Sequence, residues 1–85
     1  MPSTEGAAWI GAALRARRKD LDLTQAEAAG RADVSVRFIR DLESGKESVH
    51  LGLVLRVVDA LDLRMVLTRH HDLPPPHTAR PRPRS

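Results

Sequence analysis

Apolar residues recur at helical spacing in four stretches of the chain, and polar or glycine-containing breaks separate them. Residues 4–19 read as a first helix, with Ile10 and Leu14 one turn apart; Arg15, Arg17, Arg18 and Lys19 gather at its C-terminal end, where basic charge suits the helix dipole. Thr24-Gln25-Ala26-Glu27 follows as a capping box, its hydroxyl and carboxylate each taking a free backbone N–H at the start of a second helix, 25–32. Ala26, Ala28, Ala29 and Ala32 leave room there for another helix to come close, and Gly30 weakens the helix slightly. Asp33-Val34 interrupts the period, Ser35 is a good N-cap for a third helix running to Ser44, and Gly45 stops it. Phe38, Ile39 and Leu42 share one face of that helix, while Arg37, Arg40, Asp41 and Ser44 share the other. In the fourth helix, 51–61, Leu51, Val54, Leu55, Val58 and Leu61 form a stripe that Leu53 and Val57 widen, a pattern expected of a helix covered on two sides. Beyond Asp62 the period changes to two: Leu63, Met65 and Leu67 alternate with polar or smaller residues over 63–69, which predicts a β-strand.

That strand has no partner within the chain, so pairing with the same strand of a second copy is expected, with Leu53, Val57, Leu63, Met65 and Leu67 at the homodimer interface. Composition supports a mostly α, compact four-helix domain. Of 85 residues 41% are apolar but only 2% aromatic, one Trp and one Phe, so Leu, Val, Ile and Ala must build the core. The length suggests one domain, 4–69, followed by a tail, 70–85, whose Pro and Arg content predicts disorder or extended chain. A thin core in so short a chain calls for disulfides, metal or oligomerisation, and cysteine is absent. His50, His70, His71 and His77 match no metal-ligand spacing, so no metal and no cofactor are expected. Apolar runs fall well short of the ~20 residues of a membrane span and no signal peptide is evident, so the expected location is cytoplasmic. The net charge of +3 is concentrated in the tail, where Arg80, Arg82 and Arg84 face only Asp72. Binding of any polyanion by the folded part would therefore depend on how its charge is arranged rather than on its total. No activated Ser, His and Asp constellation is visible, and the chain is not expected to be an enzyme.

Two short helices joined by a three-residue turn over residues 25–44 have the spacing of a helix-turn-helix. The stretch LTQAEAAGRADVSVRFIRDLESGK resembles the lambda-repressor-like (XRE-type) family, and with LGLVLRVVDALDL it is similar to HipB-type antitoxins. The resemblance covers residues 10–69. It departs from the family at Ala28, where Leu is usual, and at Asp33, where Gly is usual; Asp tolerates the left-handed conformation such a turn needs. The resemblance implies that the third helix enters the major groove, with Ser35, Val36, Arg37 and Asp41 at the base edges. Arg37 suits a bidentate bond to guanine, Val36 a thymine methyl group, and Asp41 a cytosine amine or the orienting of Arg37. Gln25 falls at the family's phosphate-clamping position, and Arg40, Ser44 and Lys46 are further phosphate contacts. For Arg37 and Arg40 the alternative is a solvated surface charge. The resemblance also implies a structural ion pair between Arg18 and Glu43, expected here as a partly exposed pair contributing roughly 0–1 kcal/mol. Trp9 reads as a core or interface anchor.

The implied function is an autoregulatory repressor that binds double-stranded operator DNA at an inverted repeat and neutralises a HipA-like kinase toxin. Two other readings stand beside it: a stand-alone XRE-type regulator without a toxin, and a protein-interaction module that has kept the scaffold and lost DNA. Gln25, Ser35, Arg37 and Lys46 argue against the last.

Overall fold

The computed structural model describes residues 3–69, with side chains from residue 6 onward. Four helices occupy them: α1 Ser3–Asp20, α2 Gln25–Ala32, α3 Val36–Glu43 and α4 Leu51–Ala60. The local starts follow the predicted chemistry. Thr24 caps α2 by accepting from the Glu27 N–H at 3.0 Å, and Glu27 Oε1 accepts from the Thr24 N–H at 2.8 Å. Ser35 Oγ accepts from the Phe38 N–H at 3.0 Å and starts α3.

All four helices end in the same way. A residue in the left-handed region follows each: Asp22 (φ 60), Asp33 (φ 58), Gly45 (φ 86) and Asp62 (φ 60). The next residue then donates its N–H back into the last turn: Leu23 to Arg18, Val34 to Ala29, Lys46 to Asp41 and Leu63 to Val58, at 2.9–3.1 Å. This six-residue closure satisfies carbonyls that a helix end leaves open, and after Asp22 and Asp33 it delivers an apolar residue, Leu23 or Val34, back onto the core. Glycine is the easiest residue in this position and Asp among the more tolerant alternatives, so the turn between α2 and α3 keeps its form with Asp33 in it.

α1 packs on α3, and α2 packs on both α3 and α4. The core is aliphatic: Leu14, Ala28, Ala29, Ala32, Ile39, Leu42, Val54, Val57, Val58 and Leu61. Ile39, Val57 and Leu61 are the largest fully buried side chains, and burial of each stabilises the fold by roughly 1.5–3 kcal/mol. Ala28, Ala29 and Ala32 form the buried face of α2, whose small side chains let α4 approach. α1 meets α3 at Gly11: a Cβ there would lie 2.2 Å from the Leu42 carbonyl oxygen, so only glycine permits this approach. The Arg17 Nε–H donates to the Leu61 carbonyl at 2.9 Å and ties the end of α1 to the end of α4.

Three expectations change. Residues 63–69 form no strand, and among the described residues there is none anywhere. A strand is stabilised by a neighbouring ladder, and a single copy supplies no neighbour for this segment. Val57, expected at a dimer interface, is buried in the chain's own core, because the inward face of α4 carries Val54, Val57 and Val58, while Leu53 is half-buried. α4 is accordingly covered on one side by its own chain, with Leu51 and Leu55 exposed on its surface. The tail expected over 70–85, with His70, His71, Arg80, Arg82 and Arg84, lies outside the described residues. No helix among the described residues is long and apolar enough to cross a membrane.

Candidate nucleic-acid interface

α3 is anchored by Ile39 and Leu42, both buried, and this orientation turns Arg37 and Arg40 outward. Among the described residues the side chains of Arg37 and Arg40 make no hydrogen bond or ion pair, so their guanidinium donors remain available. Ser35 spends a lone pair on its capping bond and keeps its hydroxyl proton free to donate. Val36 departs from the sequence reading: it is half-buried and packs against the core, which leaves only part of its surface for a thymine methyl group. Asp41 pairs with Lys46, at 3.6 Å across a largely exposed gap, rather than with Arg37. Ser44 Oγ donates to the Asp41 carbonyl at 2.8 Å, which commits its single proton within the helix.

Behind this face lies a polar brace. Arg18 Nε–H donates to Glu43 Oε2 at 2.6 Å and Arg18 Nη2 to Glu43 Oε1 at 3.0 Å, a two-point contact between α1 and α3. Arg18 Nη1 also donates to the Leu23 carbonyl at 2.8 Å. The Gln25 amide donates to Glu43 Oε1 at 3.2 Å, so the first residue of α2 joins the same carboxylate. One N–H of that amide is thereby engaged and one remains for a phosphate oxygen. The side chains of Arg18 and Glu43 are only 9% and 7% exposed, which makes this a buried pair and not the partly exposed one the sequence suggested.

Burial pushes the Glu43 carboxyl up, but hydrogen bonds from Arg18 and Gln25, with the charges of Arg18 and Arg15, outweigh it and hold the group below its ordinary value. Donating to the Glu43 carboxylate raises Arg18 against the opposing effect of its own burial, so the guanidinium stays charged. Arg15 was read from sequence only as part of a basic helix end. Its charge acts on Glu43, and its place one turn before Arg18 on the same helix was the signal that could have found it.

A family model described as a helix-turn-helix domain matches residues 9–71 of the chain. The protein belongs to this helix-turn-helix family. The matched region spans the braced pair of helices, α2 and α3, and continues through α4 and the segment after it. The helix-turn-helix chain is also 50% identical over 52 residues to a protein of Sinorhizobium fredii (strain NBRC 101917 / NGR234) named "Uncharacterized HTH-type transcriptional regulator y4mF". That similarity covers 61% of this chain and 68% of the relative.

Proposed function

We propose that the protein is a sequence-specific repressor of transcription that binds double-stranded operator DNA, with α3 in the major groove. The observation that carries the reading is the outward pair Arg37 and Arg40, unengaged within the fold, on a helix braced from behind by Arg18 and Glu43. A recognition helix needs this combination, because donors must be free while their backbone is held in place. Arg37, nearest the start of α3, reads a base; Ser35, Val36 and Asp41 flank it; Gln25, Arg40 and Lys46 hold phosphates, while Ser44, its proton given to the Asp41 carbonyl, steadies the end of α3. The protein acts as a homodimer on an inverted repeat, with the two α3 helices about one DNA turn, ~34 Å, apart. It is the antitoxin of a HipBA-like pair, repressing its own operon and neutralising a HipA-like kinase. The resemblance of the α2 to α4 sequence to HipB-type antitoxins supports that finer reading. The stand-alone regulator is the second reading, favoured by the name of the relative, which says only transcriptional regulator.

Mobility shifts on operator and on random DNA test the DNA reading. Arg37→Ala should cost on the order of 1–3 kcal/mol on operator and relax the preference at one base pair per half-site. Lys46→Ala should weaken all sequences alike and reduce the salt slope. An unchanged operator-to-random ratio in Arg37→Ala rejects the assignment. Co-purification with a kinase-like protein from the neighbouring reading frame decides for the antitoxin, and operator binding without such a neighbour decides for the plain regulator.

A further inference from the structure

Gly11, Arg15 and Arg18 recur at helical spacing on α1 and so share one side of that helix. The outer two fix where that side points: Gly11 abuts the Leu42 and Glu43 carbonyls, and Arg18 holds the Glu43 carboxylate at two points. Arg15 stands between them along the seam of α1 with α3, yet it is exposed, and among the described residues its side chain makes no hydrogen bond or ion pair. Glu43 is already engaged, since Oε2 accepts from Arg18 and Oε1 from both Arg18 and Gln25. Arg18 and Glu43 cancel in charge. Arg15, whose charge is felt at Glu43, is therefore the uncompensated cation of a cluster that also holds the Gln25 amide.

We propose that Arg15 grips a backbone phosphate of duplex DNA together with the Gln25 amide, so that α1 joins α2 and α3 at the DNA. Arg15 lies on α1 and Gln25 opens α2; neither is on the helix that enters the groove, so they meet the duplex at its backbone and not at its base edges. The two free oxygens of a phosphodiester match the donors present, one accepting from the guanidinium and one from the amide N–H that Glu43 leaves unused. An arginine serving the fold spends its donors on the chain itself, as Arg17 does on the Leu61 carbonyl, Arg18 on Glu43 and Arg56 on the Asp33 carbonyl. Arg15 does not. Arg31 is also exposed and unengaged among the described residues, so freedom alone does not single Arg15 out; its place in one cluster with Gln25 does. With Gly11 and Arg18 pinning α1 on either side of it, the guanidinium starts from a fixed backbone, as a positioned contact requires.

This contact rests on the DNA reading and adds a residue to it. Because phosphate contacts are independent of sequence, a mixed-sequence duplex of about 30 base pairs serves as the probe, and the affinity of the full chain for it is followed by fluorescence anisotropy from about 50 to 200 mM salt. Arg15→Gln should lower affinity roughly threefold or more for each copy bound and flatten the slope of log affinity against log salt by about 0.9 per copy, the share of one phosphate. Its helical circular dichroism and melting temperature should stay close to wild type, since Arg15 is exposed and Gln is a good helix former. Arg31→Gln removes the same charge from the other end of α2 and should leave the slope in place. Gln25→Ala should weaken binding without changing the slope, the amide being neutral, and its combination with Arg15→Gln should cost less than the product of the two single losses, because both groups hold one phosphate. A wild-type slope in Arg15→Gln overturns the proposal, and with a lowered melting temperature it returns Arg15 to a role within the fold. An equal flattening in Arg31→Gln also overturns it, in favour of an effect of overall charge, and single losses that multiply in the double variant overturn the shared phosphate. A wild-type chain that binds no duplex overturns the DNA reading and this contact together, whereas wild-type binding that Arg15→Gln leaves unchanged overturns the contact alone.

Discussion

Replacing Glu43 with Ala would strand the Arg18 guanidinium in a site where only 9% of its side chain reaches solvent. Two of its three bonds go to Glu43, and the Leu23 carbonyl is the acceptor that remains. Gln25 loses its partner at the same time. Breaking an exposed pair costs about 0–1 kcal/mol, but removing one partner of a buried pair costs about 3–5 kcal/mol, since the desolvated charge left behind is uncompensated. Burial decides between these scales, and the larger applies. A domain of this length has a total stability of roughly 5–10 kcal/mol, so Glu43→Ala should consume about half of it. Thermal and urea melts followed by circular dichroism read the loss directly. At about 4–8 °C per kcal/mol, Tm should fall by ~12 °C or more, and the urea midpoint should drop with an unchanged slope. Replacing both partners, Arg18→Met with Glu43→Leu, should restore much of the loss, because neither charge is then left unpaired. A loss below about 1 kcal/mol in Glu43→Ala would refute the argument from burial, since the pair would be behaving as a surface one.

The same carboxylate sets an acid limit: its folded pKa is depressed, so its stabilisation is complete above the ordinary value near 4.5 and is lost as pH falls through the folded value, and the gap in Tm between wild type and Glu43→Gln should narrow there. Gly11→Ala should destabilise by about 1–3 kcal/mol or more through the clash with the Leu42 carbonyl, whereas Gly30→Ala, with nothing within 4 Å of its Cβ, should stabilise α2 by ~0.5–1 kcal/mol. Urea midpoints of the two variants check this, and equal shifts of the same sign would contradict the packing of α1 on α3. Asp33→Val should cost about 1–2 kcal/mol, because a β-branched residue resists φ near 58° far more than Asp does, and a melting temperature equal to wild type would count against the left-handed turn.

The starts and stops of the helices were legible in sequence because their causes lie within a few residues: Thr24 and Glu27, Ser35, and the break at Asp33 all act through neighbouring backbone groups. Periodicity likewise found the core face of α3, since Ile39 and Leu42 lie one turn apart on a short, strongly amphipathic helix. α4 resisted the same treatment. With apolar residues nearly all round it, the pattern could not say that Val57 turns inward while Leu51 and Leu55 turn out, because that depends on where α2 lies across it. The brace was available only through resemblance, and its depth was misjudged. Arg18 and Glu43 are 25 positions apart, and what desolvates them is the approach of α1 to α3 at Gly11 together with Gln25 and the Leu23 carbonyl closing around them. The alternation over 63–69 correctly marked apolar side chains but not their state, since a strand is a relation between two segments. Local order was thus determined by the sequence itself, through caps, left-handed stops and helical period. Which side chains lose their water, and so whether the Arg18 charge costs little or much to leave unpaired, was decided only by the packing of distant helices, because desolvation is a property of everything around a group and not of its neighbours in the chain.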